Sequence, residues 1–230
     1  MSLNISELKK KFGKSLIFKE SLSKYSWFNL GGPADIFFRP ENKVQLIMFL
    51  NTIKHLNYKI NILGAGSNIL IRDSGVKGVV IKLSSKFSNI KLINNDTIEV
   101  GASILDKKVS EFAKINNISG MEFLSCIPGS IGGAIIMNSG CYGTDMSKIL
   151  QSINTINQKG EEKTIDRSEI EFSYRNSNLP NDNIIISAIL KGSISSKSLI
   201  EKKQRKLIQK KKESQPNQIK TGGSTFKNAE

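Results

Sequence analysis

The sequence predicts an α+β fold, from the types of its segments, their order and its length. Amphipathic stretches with helical spacing, such as residues 41–56 and 198–213, occur together with short β-branched runs that suit strands. These segments do not follow the regular strand–helix–strand alternation of a doubly wound sheet. With 230 residues, of which 38% are hydrophobic, the chain can bury the core of one large domain or two small ones.

Periodicity and turn residues predict the individual elements. Helices are predicted over residues 41–56, 105–117 and 198–213. The apolar stripe of the first helix consists of Val44, Ile47, Met48, Leu50 and Ile53. Strands are predicted over residues 60–63, 69–73, 79–83, 90–93, 97–102, 152–158 and 184–193. Turn and stop residues separate these segments, among them Asn94–Asp96 and Gly120.

The chain carries a formal net charge of +14, and only five of its 34 basic residues are arginines. The segment Lys197–Glu213 alone holds eight basic residues against two acidic ones. Neither an arginine cluster nor the interleaved aromatic residues that stack on bases accompany them. We therefore interpret the charge as a lysine-rich surface and expect no nucleic-acid partner. Binding of nucleic acid through this segment is the alternative.

Cysteine content and hydropathy exclude several classes of protein. Cys126 and Cys141 have neither CxxC spacing nor matching histidines, which argues against a disulfide framework or a structural zinc site. We expect no metal and a reducing, cytoplasmic environment. No uninterrupted apolar run reaches the roughly 20 residues that span a bilayer, and the polar, basic start lacks the apolar core of a secretory signal. We expect no membrane insertion.

The segment Gly64–Asn68, with the sequence GAGSN, follows a predicted strand. It is not the GxGxxG loop of a Rossmann fold, because Ile69 takes the place of the third glycine and a β-rich run follows where a helix must begin. Small residues nevertheless let backbone amides approach an anion closely. A structural turn and an anion-binding loop both stay open for this segment taken alone.

A second glycine-dense segment, Ile127–Ala134, has the sequence IPGSIGGA. Three glycines beside a proline and apolar residues form a rigid, buried backbone, which is costly unless another group must approach it closely. Together the two glycine segments suit one extended ligand that carries a diphosphate.

Five motifs, in this order, carry a family resemblance: FNLGGPADIFFRP, LGAGSNILIRDSGVKGVVIKL, EFLSCIPGSIGGAIIMNSGCYG, FSYRNS and QPNQIKTGGSTFKN. From about Tyr25 to its last residues the chain resembles the UDP-N-acetylenolpyruvoylglucosamine reductases, the MurB family of bacterial cell-wall synthesis. GAGSN and IPGSIGGA by themselves are similar to the wider class of flavoproteins with a vanillyl-alcohol-oxidase or PCMH-type FAD domain. YRNS and GGSTFKN are much more specific to the reductases.

The resemblance implies an enzyme with FAD as cofactor and NADPH as co-substrate. In the family, NADPH reduces the flavin, and the reduced flavin then reduces an enolpyruvyl ether on a UDP-sugar, giving UDP-N-acetylmuramate for peptidoglycan. Some flavoproteins of the wider class attach FAD covalently through a histidine in their glycine segments. Neither glycine segment contains a histidine here, and the single His55 has no partner motif, so the FAD is expected to be non-covalent. A non-catalytic FAD-binding remnant of the same family is the alternative.

The resemblance also implies which residues form the site. Arg175 stabilises the enolate that develops on the substrate, and Ser224 protonates the other alkene carbon. Tyr174, Lys227 and Asn228 hold the substrate. The residues implied to bind FAD are Gly64, Ala65, Gly66, Ser67, Asn68, Pro128, Gly129, Ser130, Gly132, Gly133, Ala134 and Asn138.

The expected domain division has three parts. Residues 1–20 form an N-terminal segment. Residues 21–195 form a two-lobed FAD-binding domain, with lobes of about 21–85 and 86–195. Residues 196–230 form the start of an α+β substrate-binding domain. In the family the substrate domain continues beyond STFKN and holds a catalytic glutamate near its C-terminus, a role that we do not assign to Glu230. We therefore expect a truncated chain or a fragment, acting as a monomer.

Overall fold

The computed structural model describes residues 5–215, which form a mixed fold of α-helices, strands and short 3-10 helices. The helices are α1 (Ile5–Phe12), α2 (Lys43–Ile53), α3 (Asp106–Ile115), α4 (Ile131–Ile136) and α5 (Lys197–Ser214). The strands are β1 (Leu16–Ser21), β2 (Pro33–Phe38), β3 (Ile60–Ile62), β4 (Val76–Ile81), β5 (Ile90–Leu92), β6 (Thr97–Gly101), β7 (Ile118–Ser119), β8 (Gly140–Cys141), β9 (Thr144–Asp145), β10 (Leu150–Asn157), β11 (Glu162–Asp166), β12 (Phe172–Ser173), β13 (Asn176–Ser177), β14 (Asn183–Lys191) and β15 (Ser193–Ile194). The α+β class predicted from the sequence is confirmed.

The first sheet contains four strands in the order β1-β2-β4-β3. β1 and β2 are antiparallel neighbours, whereas β4 runs parallel to both β2 and β3. Parallel strands need a crossover connection, and α2 forms the one between β2 and β3. Asn42 caps this helix, since its side chain accepts a hydrogen bond from the backbone N–H of Gln45 at 2.9 Å.

The face of α2 that is buried differs in part from the predicted stripe. Its buried residues are Leu46, Phe49, Leu50 and Ile53. Val44 is 71% exposed, so its place on the predicted stripe is wrong, and the prediction missed Leu46 and Phe49. Six of the seven residues from Val44 to Leu50 are apolar, so periodicity alone cannot select one face. The position of the first sheet selects it.

The second sheet contains five strands in the order β11-β10-β14-β6-β5, all paired antiparallel. The predicted hairpin with Asn94–Asp96 as its turn is confirmed as β5 and β6. One face of this sheet packs with residues of α3 and α4 in the larger core. Strand residues in this core include Ile98, Val100, Ile153, Ala188 and Leu190.

The predicted strand over residues 69–73 is wrong, because this segment forms no ladder with either sheet. It runs instead beside the Gly31–Gly32 segment, where the N–H of Gly32 donates to the carbonyl of Arg72 at 3.0 Å. Its Ile69 and Ile71 side chains cover a small separate core beside the first sheet. The β-branched residues therefore bury apolar surface from a loop, which composition does not distinguish from a strand.

The last described helix, α5, packs on α3 and on the 3-10 helix Glu122–Cys126. The buried side chain of Gln204 donates from Nε2 to Ser110 Oγ at 2.8 Å and to the Ser110 carbonyl at 3.2 Å. Lys203 Nζ donates to Ser119 Oγ at 3.0 Å. These contacts fix α5 against the core of the second sheet, and the predicted helix over residues 198–213 is confirmed.

The described part of the chain contains no helix that is both long and apolar enough to cross a membrane.

An aromatic cluster under α2 generates a stability prediction. The Phe49 ring stacks on Phe38 at a centroid distance of 3.9 Å and meets Phe12 edge-on at 5.3 Å. Phe49→Ala removes both contacts and leaves a cavity, so we expect the free energy of unfolding to fall by about 3–5 kcal/mol. Denaturant unfolding of the purified protein measures this change.

Val44→Ala, on the exposed face of the same helix, is the matched control. Its expected effect is below about 0.5 kcal/mol. Equal losses for the two variants would contradict the packing assigned to α2.

Candidate functional site

The two glycine segments come together in the structure. We call residues 64–68 glycine loop 1 and residues 127–134 glycine loop 2. A Cβ atom added to Gly64 would lie 2.8 Å from Ser130 Oγ, so the backbone of one loop lies against a side chain of the other. Ser130 itself is buried. The fold therefore joins, at one place, two loops that are far apart in the chain.

Glycine loop 1 is held against the segment that precedes β2. The N–H of Trp27 donates to the Gly66 carbonyl at 3.0 Å. Gly66 has φ of +73°, and a Cβ at this position would lie 1.8 Å from the carbonyl oxygen of Tyr25. Only glycine fits both the conformation and the space.

A half-buried lysine, Lys82, contacts glycine loop 1. Lys82 follows β4, and its Nζ donates a hydrogen bond to the Gly64 carbonyl and lies 5.9 Å from the Tyr25 ring centroid. Burial, and to a lesser degree the charge of Arg39, lowers the pKa of Lys82. A partly desolvated positive charge therefore lies next to the backbone of this loop.

Glycine loop 2 is held by the connection between β6 and α3. The N–H of Asp106 donates to the Gly129 carbonyl at 3.1 Å, and the N–H of Gly132 donates to the Ala102 carbonyl at 2.9 Å. A Cβ at Gly129 would lie 2.5 Å from Asp106 Oδ2, and one at Gly132 would lie 3.2 Å from Ala102 Cβ. Larger residues would displace the loop from this connection.

Each glycine loop has a buried polar side chain beside it without a hydrogen-bond partner among residues 5–215. Beside loop 1 this is the hydroxyl of Ser26, whose Cα would lie 3.4 Å from a Cβ placed on Gly66. Beside loop 2 both carboxyl oxygens of Asp106 lack a partner. Burial raises the pKa of Asp106 well above its ordinary value. Unpaired buried polar groups are rare in proteins and need an explanation.

The hairpin of β12 and β13 carries Tyr174 and Arg175 in its turn. Arg175 has φ of +57°, a left-handed conformation that costs a residue with a side chain about 1–3 kcal/mol. Its guanidinium lies 5.1 Å from the Tyr174 ring centroid and donates from one terminal nitrogen to the Gly140 carbonyl at 3.1 Å. These contacts fix the positive charge of Arg175 beside β8.

Asn138 connects this hairpin to the end of α4. Its side chain is 5% exposed, donates from Nδ2 to the Ser173 carbonyl at 3.1 Å and accepts from the N–H of Ser147 at 3.1 Å. The buried amide therefore couples α4, which begins within glycine loop 2, to the Arg175 hairpin. Its implied contact with FAD stays a prediction.

A cavity of about 330 Å³ lies between α5 and the β8–β9 hairpin. Lys203 and Lys206 of α5 line one side, and Phe123, Cys141 and Tyr142 contribute to the others. Glu122 also lines the cavity, and its Oε1 lies 3.8 Å from Lys203 Nζ, so it offsets part of the positive charge. Lys206 and the aromatic surface suit an anionic ligand with a flat ring.

Comparison with known proteins identifies the family. Residues 34–166, more than half of the chain, match the FAD binding domain family. A UDP-N-acetylenolpyruvoylglucosamine reductase from Pelagibacter ubique is 45% identical over 229 residues, which cover 98% of this chain and 76% of the relative. The chain belongs to the UDP-N-acetylenolpyruvoylglucosamine reductase family. A reductase of the same name from Rickettsia typhi is 42% identical over 208 residues, covering 90% of this chain and 70% of that one.

Solved structures agree with this reductase family and its fold. The crystal structure of UDP-N-acetylenolpyruvylglucosamine reductase (MurB) from Thermus caldophilus matches with a TM-score of 0.80 at 29% identity, covering 93% of this chain and 74% of that chain. Cholesterol oxidase from Brevibacterium sterolicum matches with a TM-score of 0.56 at 13% identity, over 78% of this chain and 38% of that one, which shows the fold alone. The family and the FAD-binding fold implied by the sequence motifs are confirmed.

The described residues of this reductase-family chain fit FAD. The glycines let the two loops pack closely on their neighbours, and Asn68, Pro128 and Gly133 of these loops are exposed where a dinucleotide can approach. Lys82 supplies positive charge next to one loop. Ser26 Oγ is a buried hydroxyl with hydrogen-bonding capacity unused within residues 5–215. No group of three His, Cys, Asp or Glu side chains suited to a metal occurs in the same part of the chain.

The structure describes some of the site residues implied by the sequence motifs of the reductase, whereas others lie outside the described residues. It brings glycine loops 1 and 2 together, and Asn138 connects them with the hairpin of Tyr174 and Arg175. Which atoms of these residues contact FAD or substrate stays a prediction. Ser224, Lys227 and Asn228 lie outside the described residues.

Sequence reasoning missed three residues of this site: Ser26, Lys82 and Asp106. A lysine directly after the apolar run of β4 is a weak signal, because a basic residue at a strand end is usually exposed. Asp106 begins a helix, where an acidic residue is ordinary. The burial of both side chains depends on contacts with distant segments, which no local pattern records.

The two cysteines lie side by side, although the sequence separates them and their spacing matches no motif. Both are free thiols. The hydrogen bond from Cys141, with help from Ser125 and the charge of Lys211, lowers the pKa of Cys126 to about 6. The same hydrogen bond and burial raise the pKa of Cys141. Lys211 Nζ also donates to the Cys126 carbonyl at 2.6 Å, directly before glycine loop 2.

Glycine loop 1 generates a prediction with a matched control. Gly66→Ala forces a Cβ into the Tyr25 carbonyl, so the loop must shift. The hydrogen bonds that we predict between this loop and FAD, each worth about 0.5–1.5 kcal/mol, should then weaken. We expect FAD affinity to fall about tenfold or more. Flavin fluorescence titration measures it.

Gly143→Ala is the control, because Gly143 also has positive φ, of +85°, but its Cβ would meet no atom within 4 Å. It carries only the conformational cost of about 1–2 kcal/mol and should retain FAD affinity. Similar losses of affinity for both variants would show that backbone conformation, not the contact with Tyr25, decides the effect.

The cysteine pair generates a pH prediction. Titration of the apoprotein should show the ultraviolet absorbance of a thiolate with a midpoint at about pH 6, which Cys126→Ser removes. Cys141→Ala takes away the donated hydrogen bond, so the midpoint should rise toward that of an ordinary thiol at about pH 8.5. A wild-type midpoint already at that ordinary value would contradict the assignment.

Proposed function

We propose that the chain acts as an NADPH-dependent flavoprotein reductase that converts UDP-N-acetylglucosamine-enolpyruvate to UDP-N-acetylmuramate for peptidoglycan. The observation that carries the proposal is the junction of both glycine loops with the Arg175 hairpin, in a chain 45% identical to a named reductase over 98% of its length. Neither part alone supports this reaction, because other flavoproteins share the FAD-binding fold.

Glycine loops 1 and 2 would hold the diphosphate of FAD, with Lys82 beside loop 1. Bound FAD, once reduced by NADPH, would supply the hydride for one carbon of the substrate alkene. Negative charge then develops across the adjacent carboxylate as an enolate. A fixed positive charge aimed at the enolate oxygen lowers the barrier to hydride transfer. Removal of one such donor typically slows a reaction by about 10²–10³-fold.

Arg175 is the group that we assign to the enolate. Its guanidinium bonds one carbonyl, that of Gly140, and contacts the face of Tyr174, and its further N–H donors are available for a carboxylate. Holding the side chain before substrate arrives means that little reorganisation is needed during the reaction. The left-handed backbone of Arg175 supports a functional role, since strained residues concentrate at active sites.

Protonation of the other alkene carbon requires an acid, and Ser224 is the residue that we propose from its motif. A serine hydroxyl is a weak acid in water, so its proton transfer depends on a polarising neighbour. We further propose that Tyr174, Lys227 and Asn228 bind the substrate. The lysines of the cavity beside Cys141 suit the phosphates of a UDP-sugar or NADPH.

The domain division is also a proposal. The two sheets lie on either side of residues 84–88 in the chain, which supports a division between lobes of about 21–85 and 86–195. The segment 1–20 is not separate from the first lobe, because β1 pairs with β2 in the first sheet. We assign α5 to the start of the substrate-binding domain, although it packs on the core of the second sheet. We also propose that the chain is a monomer. A location in the cytoplasm, where UDP-sugars and NADPH occur, fits the free thiols of Cys126 and Cys141.

One assay tests the function. The purified chain, loaded with FAD, should oxidise NADPH at a rate that depends on added UDP-N-acetylglucosamine-enolpyruvate. Ser224→Ala should leave reduction of the flavin by NADPH unchanged and slow the substrate half-reaction by about 10²-fold or more, because only the latter needs the acid. Stopped-flow absorbance of the flavin separates the two half-reactions.

Ser198→Ala, an exposed serine on α5, is the control and should behave as wild type in both half-reactions. Equal loss in both half-reactions of Ser224→Ala would remove Ser224 as the specific acid. Bound flavin without any substrate-dependent oxidation of NADPH would overturn the reductase and support a flavin-binding remnant.

A further inference from the structure

Asp106, the first residue of α3, has no solvent-exposed surface. Neither of its carboxyl oxygens has a hydrogen-bond partner among residues 5–215. A buried carboxyl is stable without partners only in its neutral form, because an isolated charge in an apolar interior is very costly. The proposed reductase chemistry assigns nothing to this group.

The carboxyl of Asp106 lies against glycine loop 2. A Cβ placed on Gly129 would be 2.5 Å from Asp106 Oδ2, so the carboxyl fills the space that a side chain at Gly129 would take. The backbone of the same residue donates to the Gly129 carbonyl at 3.1 Å. Backbone and side chain of Asp106 therefore both support one residue of the loop.

Within residues 5–215, no charged group around Asp106 compensates for its burial, although α5, which also packs on α3, carries Lys203, Lys206 and Lys211. Lys107 and Lys108 on its own helix are exposed, and the 3-10 helix packed on α3 brings Glu122 and Cys126. Glycine loop 2 and α4 carry no ionisable side chain. Burial is the cause of the raised pKa of Asp106, and no charged group among the described residues lowers it.

We propose that Asp106 is a positioning residue for FAD, whose protonated carboxyl supports glycine loop 2 in the conformation that binds the diphosphate. Ionisation would place a negative charge directly beneath a loop that must accept two phosphates, in surroundings of low dielectric. It would also draw the carboxyl toward water and away from Gly129. FAD therefore binds the protonated form more tightly.

This inference rests on FAD binding, a property of the family, and not on reduction of the UDP-sugar. Cys126, with a pKa of about 6 directly before glycine loop 2, and Lys82, with a lowered pKa beside glycine loop 1, add the same pH dependence to wild type and to variants of Asp106. When FAD binds only the protonated form, the contribution of Asp106 to its affinity is constant below the pKa of Asp106 in the free protein. Above that pKa this contribution lowers the affinity about tenfold for each pH unit. Since deeply buried carboxyls titrate as high as about pH 8–9, titrations from about pH 5 to about pH 9.5 cover the transition.

The experiment measures the FAD dissociation constant by quenching of flavin fluorescence across this range. Three forms of the full chain are compared: wild type, Asp106→Asn and Asp182→Asn. An amide has nearly the same shape as the protonated acid and cannot ionise, so Asp106→Asn should bind FAD at low pH like wild type. At higher pH it should lose the part of the pH dependence that Asp106 causes, so its affinity should exceed that of wild type. Asp182 is exposed in the turn before β14, so Asp182→Asn should follow wild type throughout.

Several results would overturn the inference. They are a wild-type affinity that does not change with pH, an Asp106→Asn protein whose affinity changes with pH as that of wild type does, and a folded Asp106→Asn protein that binds no FAD at low pH. FAD binding without pH dependence leaves the proposed reductase intact, whereas absence of FAD binding at every pH overturns both.

A measurement on the wild type alone decides the matter if Asp106→Asn does not fold. Infrared spectroscopy of the apoprotein should show the C=O band of a protonated carboxyl at neutral pH. This band should disappear as the pH rises, over the same interval in which FAD affinity falls. A protein without that band at neutral pH would contradict the role of Asp106.

Discussion

The close packing that glycine permits at the two glycine loops is the constraint on which the rest of the site depends. At Gly66 a methyl group would lie 1.8 Å from the Tyr25 carbonyl, and at Gly64 it would lie 2.8 Å from Ser130 Oγ. Glycine loop 1 belongs to the first sheet and glycine loop 2 packs on the β6–α3 connection of the second. The absence of side chains at these points lets the two sheets present their backbones at one place, where a dinucleotide can bind.

Hydrogen bonds extend this arrangement from the flavin side to the substrate side of the proposed site. Asn138, just after α4, bonds the Ser173 carbonyl, and Arg175 in the same hairpin bonds the Gly140 carbonyl. The left-handed backbone of Arg175 is held by these contacts, because a strained residue persists only where its surroundings determine it. Glycine loop 2 and the proposed enolate-stabilising cation are therefore parts of one packed unit.

Local patterns predicted the elements whose residues decide their own conformation. The β5–β6 hairpin follows from two β-branched runs with a polar turn, and α5 follows from a long polar helix with few competing signals. Prediction failed where apolar residues are dense. Val44 lies on the solvent side of α2 although it is apolar, and residues 69–73 cover a small core without joining a sheet. In both segments the choice depends on what lies opposite, which the local sequence does not contain.

The sequence by itself determined the family and the types of group in the site, because motifs record local requirements: glycine where a side chain has no room, and arginine in a turn beside tyrosine. Only the tertiary structure decided which distant residues share an environment. It placed Ser130 against Gly64, buried Asp106 beneath Gly129 and brought the thiols of Cys126 and Cys141 together. The reason is physical: burial and electrostatic interaction depend on distance in space, and packing of the two sheets sets those distances independently of separation along the chain.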